Sequence, residues 1–241
     1  MQKINVIARK DDLDPQRAPG KVAIVLDIIF ATSTIVTALQ QGARSVVPAL
    51  DEAQARQLAG VREPEGFVLA GEYHADTLSG FHAYNPLAMR ASLLAGKDLI
   101  YSTTNGTVAL CKAQACRHVY IGALLNARAV VDHLLRHFQT ETILLVCAGS
   151  RGTFSLEDFF AAGYFVSLLF ELGGKSRIAL SDSAIAAMRL ARQNDPLDIL
   201  LSSKVGLRML DRGMQADIEH SAALDTCSII PVLTNGIVVR A

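Results

Sequence analysis

The sequence predicts an α/β fold, a three-layer α/β/α arrangement around a mostly parallel sheet with internal duplication. Three observations predict it. Short β-prone apolar runs alternate with helical segments, the order expected when crossover helices join parallel strands. The alternation occurs twice, in halves spanning about 20–72 and 97–150. In each half a hydroxyl-rich corner follows the first strand: Ala31-Thr32-Ser33-Thr34 in one, Ser102-Thr103-Thr104-Asn105-Gly106-Thr107 in the other. The echo continues downstream, where Arg44-Ser45-Val46-Val47 answers Arg117-His118-Val119-Tyr120, and Ala70-Gly71-Glu72 answers Ala148-Gly149-Ser150. The 241 residues read as one unit, the two halves followed by a C-terminal helical and hairpin segment.

Each element has its own justification. Val22 to Leu26 is a continuous apolar run, as a strand covered on both faces requires. Thr32, Ser33 and Thr34 are N-cap candidates for a helix to about Gln41, ended by Gly42. Ser45 to Pro48 is a short strand. Asp51-Glu52 places acids in the first turn of a helix to about Leu58, where the helix dipole favours them. Phe67 to Ala70 is a strand ending at Gly71-Glu72, and residues 73–86 lack periodicity and form a loop. The second half gives a strand at Leu99 to Ser102, a helix from Gly106 to about Ala115 and a strand at Val119 to Ile121. A helix from Asn126 to about Phe138, a strand at Thr142 to Cys147 and a turn at Gly149 to Ser155 follow. Leu156 to about Leu172 is an apolar helix opening on Glu157-Asp158. Helices at Ser181 to Gln193, Asp195 to Ser202 and Lys204 to Arg212 precede a hairpin over Ile229 to Val239, marked by Asn235-Gly236.

Composition narrows the function. Lysine plus arginine balance aspartate plus glutamate, 23 against 23, which argues against a general nucleic-acid binder. Val22 to Ala31 is too short for a membrane span and is interrupted by Asp27. Charges at Arg9 to Asp12 come too early for a signal segment, so a cytoplasmic protein is expected. The high apolar content makes a homo-oligomer the prior. The four cysteines fit no zinc spacing and read as buried thiols.

The chemistry gathers where such sheets bind ligands, outside the carboxyl ends of the strands. Asp27 follows an apolar strand, where a lone carboxylate is costly unless paired or metal-bound. Glu72, Glu157 and Asp158 add carboxylates at a strand end and a helix start. Without a matching set of cysteines and histidines, these four suit Mg²⁺, which prefers oxygen ligands. Thr32, Ser33, Thr34, Thr103, Thr104, Asn105, Gly106 and Thr107 are the candidates for holding phosphate, since hydroxyls and free N–H groups at helix starts present donors to oxyanions. Gly149 and Arg151 form a third such turn. His74 and His82 fall in the long loop near this site, and His133 with His137 reads as surface helix.

Over nearly its whole length the chain resembles the 2-phosphosulfolactate phosphatase family. The resemblance is carried by Asp27 with Ala31-Thr32-Ser33-Thr34, Gly71-Glu72, Asn85-Pro86, Ser102 to Thr107, Asn126-Ala127, Cys147-Ala148-Gly149 and Ser155-Leu156-Glu157-Asp158, with Gly213, Asp217, Asp225 and Pro231 later. It implies a Mg²⁺-dependent hydrolase that removes phosphate from a small 2-phospho-3-sulfo acid, a step toward coenzyme M where that cofactor is made. Asp27 and Glu72 would be catalytic; Asp27, Glu72, Glu157 and Asp158 would hold the metal. Two departures stand out: Phe30 occupies the position of the family's arginine, and His82-Ala83-Tyr84 replaces its acidic loop segment. These departures keep open a non-catalytic or substrate-shifted paralogue that binds an anionic metabolite.

Overall fold

The computed structural model describes residues 1–241, the side chain of Ala91 excepted. The chain opens with β1 (Gln2–Ile7), then β2 (Val22–Leu26), α1 (Ala31–Gln40), β3 (Ser45–Ala49), α2 (Glu52–Gly60), β4 (Phe67–Tyr73) and the two-residue β5 (Asp76–Thr77). A short α3 (Ala91–Leu94) precedes β6 (Asp98–Ser102), α4 (Gly106–Ala113), β7 (His118–Gly122), α5 (Ala127–His137) and β8 (Ile143–Cys147). The remainder is α6 (Leu156–Leu172), β9 (Ile178–Leu180), α7 (Asp182–Gln193), α8 (Pro196–Ser202), α9 (Lys204–Leu210), α10 (Gln215–Ala222), β10 (Pro231–Thr234) and β11 (Ile237–Arg240).

The α/β class read from the alternation is the class observed. One sheet runs in the order β5-β4-β6-β3-β11-β10-β7-β2-β8-β1-β9. The pairs β4–β6, β6–β3, β7–β2, β2–β8, β8–β1 and β1–β9 are parallel. Only β5 and the β10–β11 hairpin run antiparallel to their neighbours. Burial explains the apolar runs: all five residues of β2, of β3 and of β8 are buried.

The strands of residues 22–73 and 98–147 interleave. β2 lies between β7 and β8, and β6 lies between β3 and β4. Exchanging the two sets leaves the order β4-β6-β3…β7-β2-β8 unchanged, and the β10–β11 hairpin joins the two triplets. The registers agree as well. Leu26 pairs with Gly122 and Cys147, as Ser102 pairs with Ala49 and Gly71. Glu72 thus corresponds to Ala148, two residues before the Ser150 that sequence alignment of the halves places opposite it.

Four strands stand between β2 and β6 in the sheet. Even so, a Cβ built on Gly106, at the start of α4, would overlap Ala31 at the start of α1. The sheet must curl to bring the carboxyl ends of both strands together, and this juxtaposition makes the site.

Several elements go beyond the sequence reading, α3 and β5 among them. β1 and β9 extend the parallel sheet past β8, and α10 follows α9. β1 is buried on alternate residues only, so it lacks a continuous apolar run. Part of the expected loop at 73–86 is ordered as the β4–β5 hairpin, whose central residues His74 (φ 56°) and Ala75 (φ 70°) are both left-handed. Such a turn usually announces itself by Asn-Gly or Asp-Gly, and neither residue here does.

Candidate functional site

One cavity at the carboxyl ends of the strands gathers Asp27, Glu72, Glu157 and Asp158 with Thr104, Asn105, Gly149 and Arg151. Asp27 follows β2, Glu72 is the last residue but one of β4, and residues 103–105 form the corner between β6 and α4. The turn 148–152 follows β8, and Glu157 and Asp158 stand in the first turn of α6. Phe30, Ala75, Val205 and Met209 supply an apolar wall, and His74, Ser150, Ser155 and Arg208 complete the lining.

The carboxylates, not a ligand, occupy the free amides at this end of the sheet. Glu72 accepts from the Thr104 N–H (2.6 Å) and hydroxyl (3.0 Å) and from the Ala75 N–H (2.6 Å). Asp158 accepts from the N–H groups of Ile28 (2.9 Å) and Gly149 (3.1 Å). Asp27 accepts from the Gly106 N–H. Helix starts and tight turns attract negative charge, and here that charge belongs to the protein. The Glu72 bonds also hold the left-handed turn at His74 and Ala75, since the His74 N–H donates to the Thr104 hydroxyl at 2.9 Å. Backbone strain of this kind persists where surrounding bonds over-determine it.

Burial makes Asp27, Glu157 and Asp158 reluctant to ionise, and neighbouring charge adds to it at Asp27 and Asp158. Asp27 is pushed up to about 7, first by burial and then by the charges of Glu72 and Glu157; Lys10 and the Gly106 amide pull the other way. Burial raises Asp158 well above the carboxylate range, with Asp27 and Glu157 adding to it. Burial also raises Glu157, against hydrogen bonds to the Ser155 and Ser203 hydroxyls. Lys10 is the buried cation. Its ammonium donates to Asn105 Oδ1 (3.1 Å) and the Ala148 carbonyl (3.0 Å), and burial pulls its pKa down. The Asn105 carboxamide also accepts from the Arg151 N–H at 3.3 Å, which ties the turn after β8 to the start of α4.

Most hydroxyls expected to hold phosphate face inward. Thr32 closes its own corner, accepting from the Asp27 N–H and donating to the Asp27 carbonyl, both at 3.0 Å. Thr107 does the same for Thr103 at 3.0 Å each. Ser33 donates to the Ile28 carbonyl and Thr34 to that of Tyr84. All four are fully buried. Helix α1 begins at Ala31 with Phe30 as N-cap, so Thr32, Ser33 and Thr34 lie inside its first turn and not at the cap. Thr103 is buried behind the corner, and Gly106 serves as the contact surface for Asp27 and Ala31. Of the hydroxyl set only Thr104 lines the cavity, together with Asn105. His82 is exposed beside β4 and lines no part of it. Cys147 is fully buried and its thiol is held well above its ordinary value by burial, so it is inert.

The sequence profile described as 2-phosphosulpholactate phosphatase matches residues 7–236. A Carboxydothermus hydrogenoformans protein named probable 2-phosphosulfolactate phosphatase is 38% identical over 230 residues, covering 95% of this chain and 92% of its own. Proteins of the same name from Symbiobacterium thermophilum (39% identical; 91% and 94% covered) and Thermotoga maritima (37%; 90% and 91%) are similar to it as well. The chain belongs to the 2-phosphosulpholactate phosphatase family. As a member it is an enzyme of the phosphoric monoester hydrolase class.

Several segments carrying the family likeness are structural. Asp217 accepts from Asn85 Nδ2 (2.9 Å) and the Leu87 N–H (3.0 Å), pinning α10 to the turn at Pro86. Asp225 accepts from the Arg128 N–H and the Tyr164 hydroxyl. Phe30 does face the cavity, edge-on to Tyr84 with ring centroids 5.1 Å apart. Lys10, Arg208, Val205 and Met209 are site residues that sequence reasoning missed. No local signal marks them: each looks like an ordinary member of a turn or a surface helix.

Proposed function

We propose that this protein hydrolyses 2-phosphosulfolactate to sulfolactate and inorganic phosphate with the help of Mg²⁺, and that it arose by internal duplication. The observation that carries the reading is the convergence of four carboxylates with two arginines that pair with none of them. Neither Arg151 nor Arg208 makes a side-chain ion pair among the described residues, although both line the same cavity as the acids. The interleaved strand order, unchanged on exchange of the halves, supports the duplication.

The residues fit Mg²⁺ in the manner that ion favours, with few carboxylates and several waters. Among the described residues no three ligand side chains form a ready-made cage. Yet Asp27, raised first by burial, stands near enough to Glu72 and Glu157 for their charges to raise it further, with Lys10 opposing them. Asp27 and Glu72, with Glu157 and Asp158 behind them, would hold the ion. Bound there, it would neutralise phosphoryl oxygens and lower the pKa of a water.

The chain's own groups do the rest. Arg151 binds anionic oxygens of the phosphoryl group. Thr104 and Ala75 fix Glu72, and Ile28 and Gly149 fix Asp158, so the acids keep their places without substrate. Phe30, Val205 and Met209 exclude bulk water, which strengthens every charge interaction inside. The Asp27 carboxylate can take a proton from water attacking phosphorus and return it to the departing alkoxide. The alternative chemistry is attack by Asp27 itself to give a phospho-aspartate. Hydrolysis of an ester chirally labelled at phosphorus separates them: inversion marks one displacement by water, and retention marks the two displacements of the covalent route.

The decisive experiment is phosphate release from 2-phosphosulfolactate with Mg²⁺. Wild-type protein should release it and Asp27→Asn should not. Absence of release, or full release by the variant, overturns the reading.

A further inference from the structure

Arg208 stands apart from the rest of the site. It lies on α9, in the C-terminal segment outside both halves, three residues after Val205 and so beside it on the helix surface, with Met209 next in the chain. All three line the cavity. Arg208 is half-buried, and its guanidinium makes no hydrogen bond or ion pair among the described residues. The contrast is Arg212, four residues on, which is engaged by the Ala75 carbonyl (2.6 Å) and Asp76 (2.8 Å). A half-buried guanidinium without a partner among the described residues, on the wall of a cavity lined by four acids, is free to take an anionic group of a ligand.

Arg151 and Arg208 approach from different elements. Arg151 belongs to the turn over the start of α4, beside the acidic floor. That turn is held by the Arg151 N–H to Asn105 and by Arg9 Nη1 to the Gly152 carbonyl at 2.9 Å. Arg208 comes from α9 together with the apolar wall. A ligand with its phosphate on the acidic floor would meet Arg151 there. A further anionic group on the same molecule would be free to meet Arg208, which comes from a different element.

We propose that Arg208 is a specificity-determining residue that recognises a second anionic group, carboxylate or sulfonate, on the organic part of the phosphate ester. This deepens the function proposed above and rests on it. A guanidinium matches either oxyanion with two parallel hydrogen bonds.

The test compares wild type, Arg208→Gln and Arg208→Lys on four esters: 2-phosphosulfolactate, 2-phospholactate without the sulfonate, 2-sulfoethyl phosphate without the carboxylate, and ethyl phosphate with neither. Loss of a charge-assisted contact should raise KM of Arg208→Gln by roughly 10- to 100-fold on 2-phosphosulfolactate, with kcat little changed. KM for ethyl phosphate should not move, and Arg208→Lys should restore part of the loss. Of the two single-acid esters, the one whose KM rises identifies the group recognised. Thermal stabilisation by sulfolactate, which needs no turnover, should weaken in Arg208→Gln. An equal effect on all four esters, or none on any, overturns the assignment of Arg208. If wild type releases phosphate from none of the four, the hydrolase reading fails first; sulfolactate stabilisation then still reads Arg208, and an undiminished shift in the variant refutes it.

Discussion

Gly106 and Asp27 touch across the two halves. A Cβ built on Gly106 would stand 2.5 Å from Asp27 Oδ2 and 2.2 Å from the Cβ of Ala31, while the Gly106 N–H donates to the Asp27 carboxylate. The start of one helix thus seats the acid that follows the strand of the other half. The glycine is required for space.

Gly106→Ala should therefore damage both stability and activity. Overpacking at a fully buried contact costs about 1–3 kcal/mol. The added methyl also displaces Asp27, and a shift of about 1 Å at a reacting group costs on the order of 100-fold in rate. Thermal unfolding and phosphate release check the two effects together. A variant with wild-type melting temperature and rate would show that Asp27 is not seated by Gly106.

Asp27→Asn should stabilise the metal-free protein, with a defined pH dependence. The folded-state pKa of Asp27 is raised to about 7, whereas an unfolded aspartate titrates near 3.9. As pH rises between those values the unfolded state releases this proton and the folded state keeps it, so stability is lost. Linkage gives a penalty on the order of 4 kcal/mol, complete above about pH 7. Asparagine carries no such penalty. The melting-temperature advantage of the variant, measured with a chelator, should grow from about pH 4 to 7 and then level off. A constant difference would mean that Asp27 ionises freely.

How much of this was legible in the sequence depended on how local each signal is. Buried parallel strands declare themselves as apolar runs, so β2, β6 and β8 and the helices between them could be read directly. Asp27 was legible because a carboxylate at the end of such a run is anomalous. The hydroxyls were read as ligand donors because Thr32 and Thr107 sit at helix starts. Sequence shows that a threonine there bonds some backbone group, but not that the group is its own corner. Lys10, 95 positions from Asn105, and Arg208 reach the site only through the tertiary fold. The His74–Ala75 turn was invisible because its strain is held by Glu72 and Thr104, not by glycine.

Mg²⁺ binding should release protons and weaken in acid. Below about pH 7 the metal-free protein holds a proton on Asp27, and a carboxylate must lose its proton before it binds metal. Apparent affinity should fall by up to about tenfold per pH unit below 7 and change little above it. Calorimetry in two buffers of different ionisation enthalpy reads the released proton directly. Affinity that is flat from pH 5.5 to 8 would remove Asp27 from the ligand set.

Lys10 moderates the rise that burial imposes on Asp27, and this can be tested separately from metal binding. Its ammonium is anchored on Asn105 and Ala148, and its charge favours the ionised forms of Asp27 and Asp158. Lys10→Met keeps most of the buried stem and removes the charge. Asp27 should then hold its proton to higher pH, and the acid limb of kcat/KM, which reports the free enzyme, should move upward by roughly half to one pH unit. Lys10→Arg should leave the limb near its wild-type position if the larger head fits the same anchors. A rate lowered equally at every pH would instead mean that Lys10 acts by packing, because only a charge effect moves the limb.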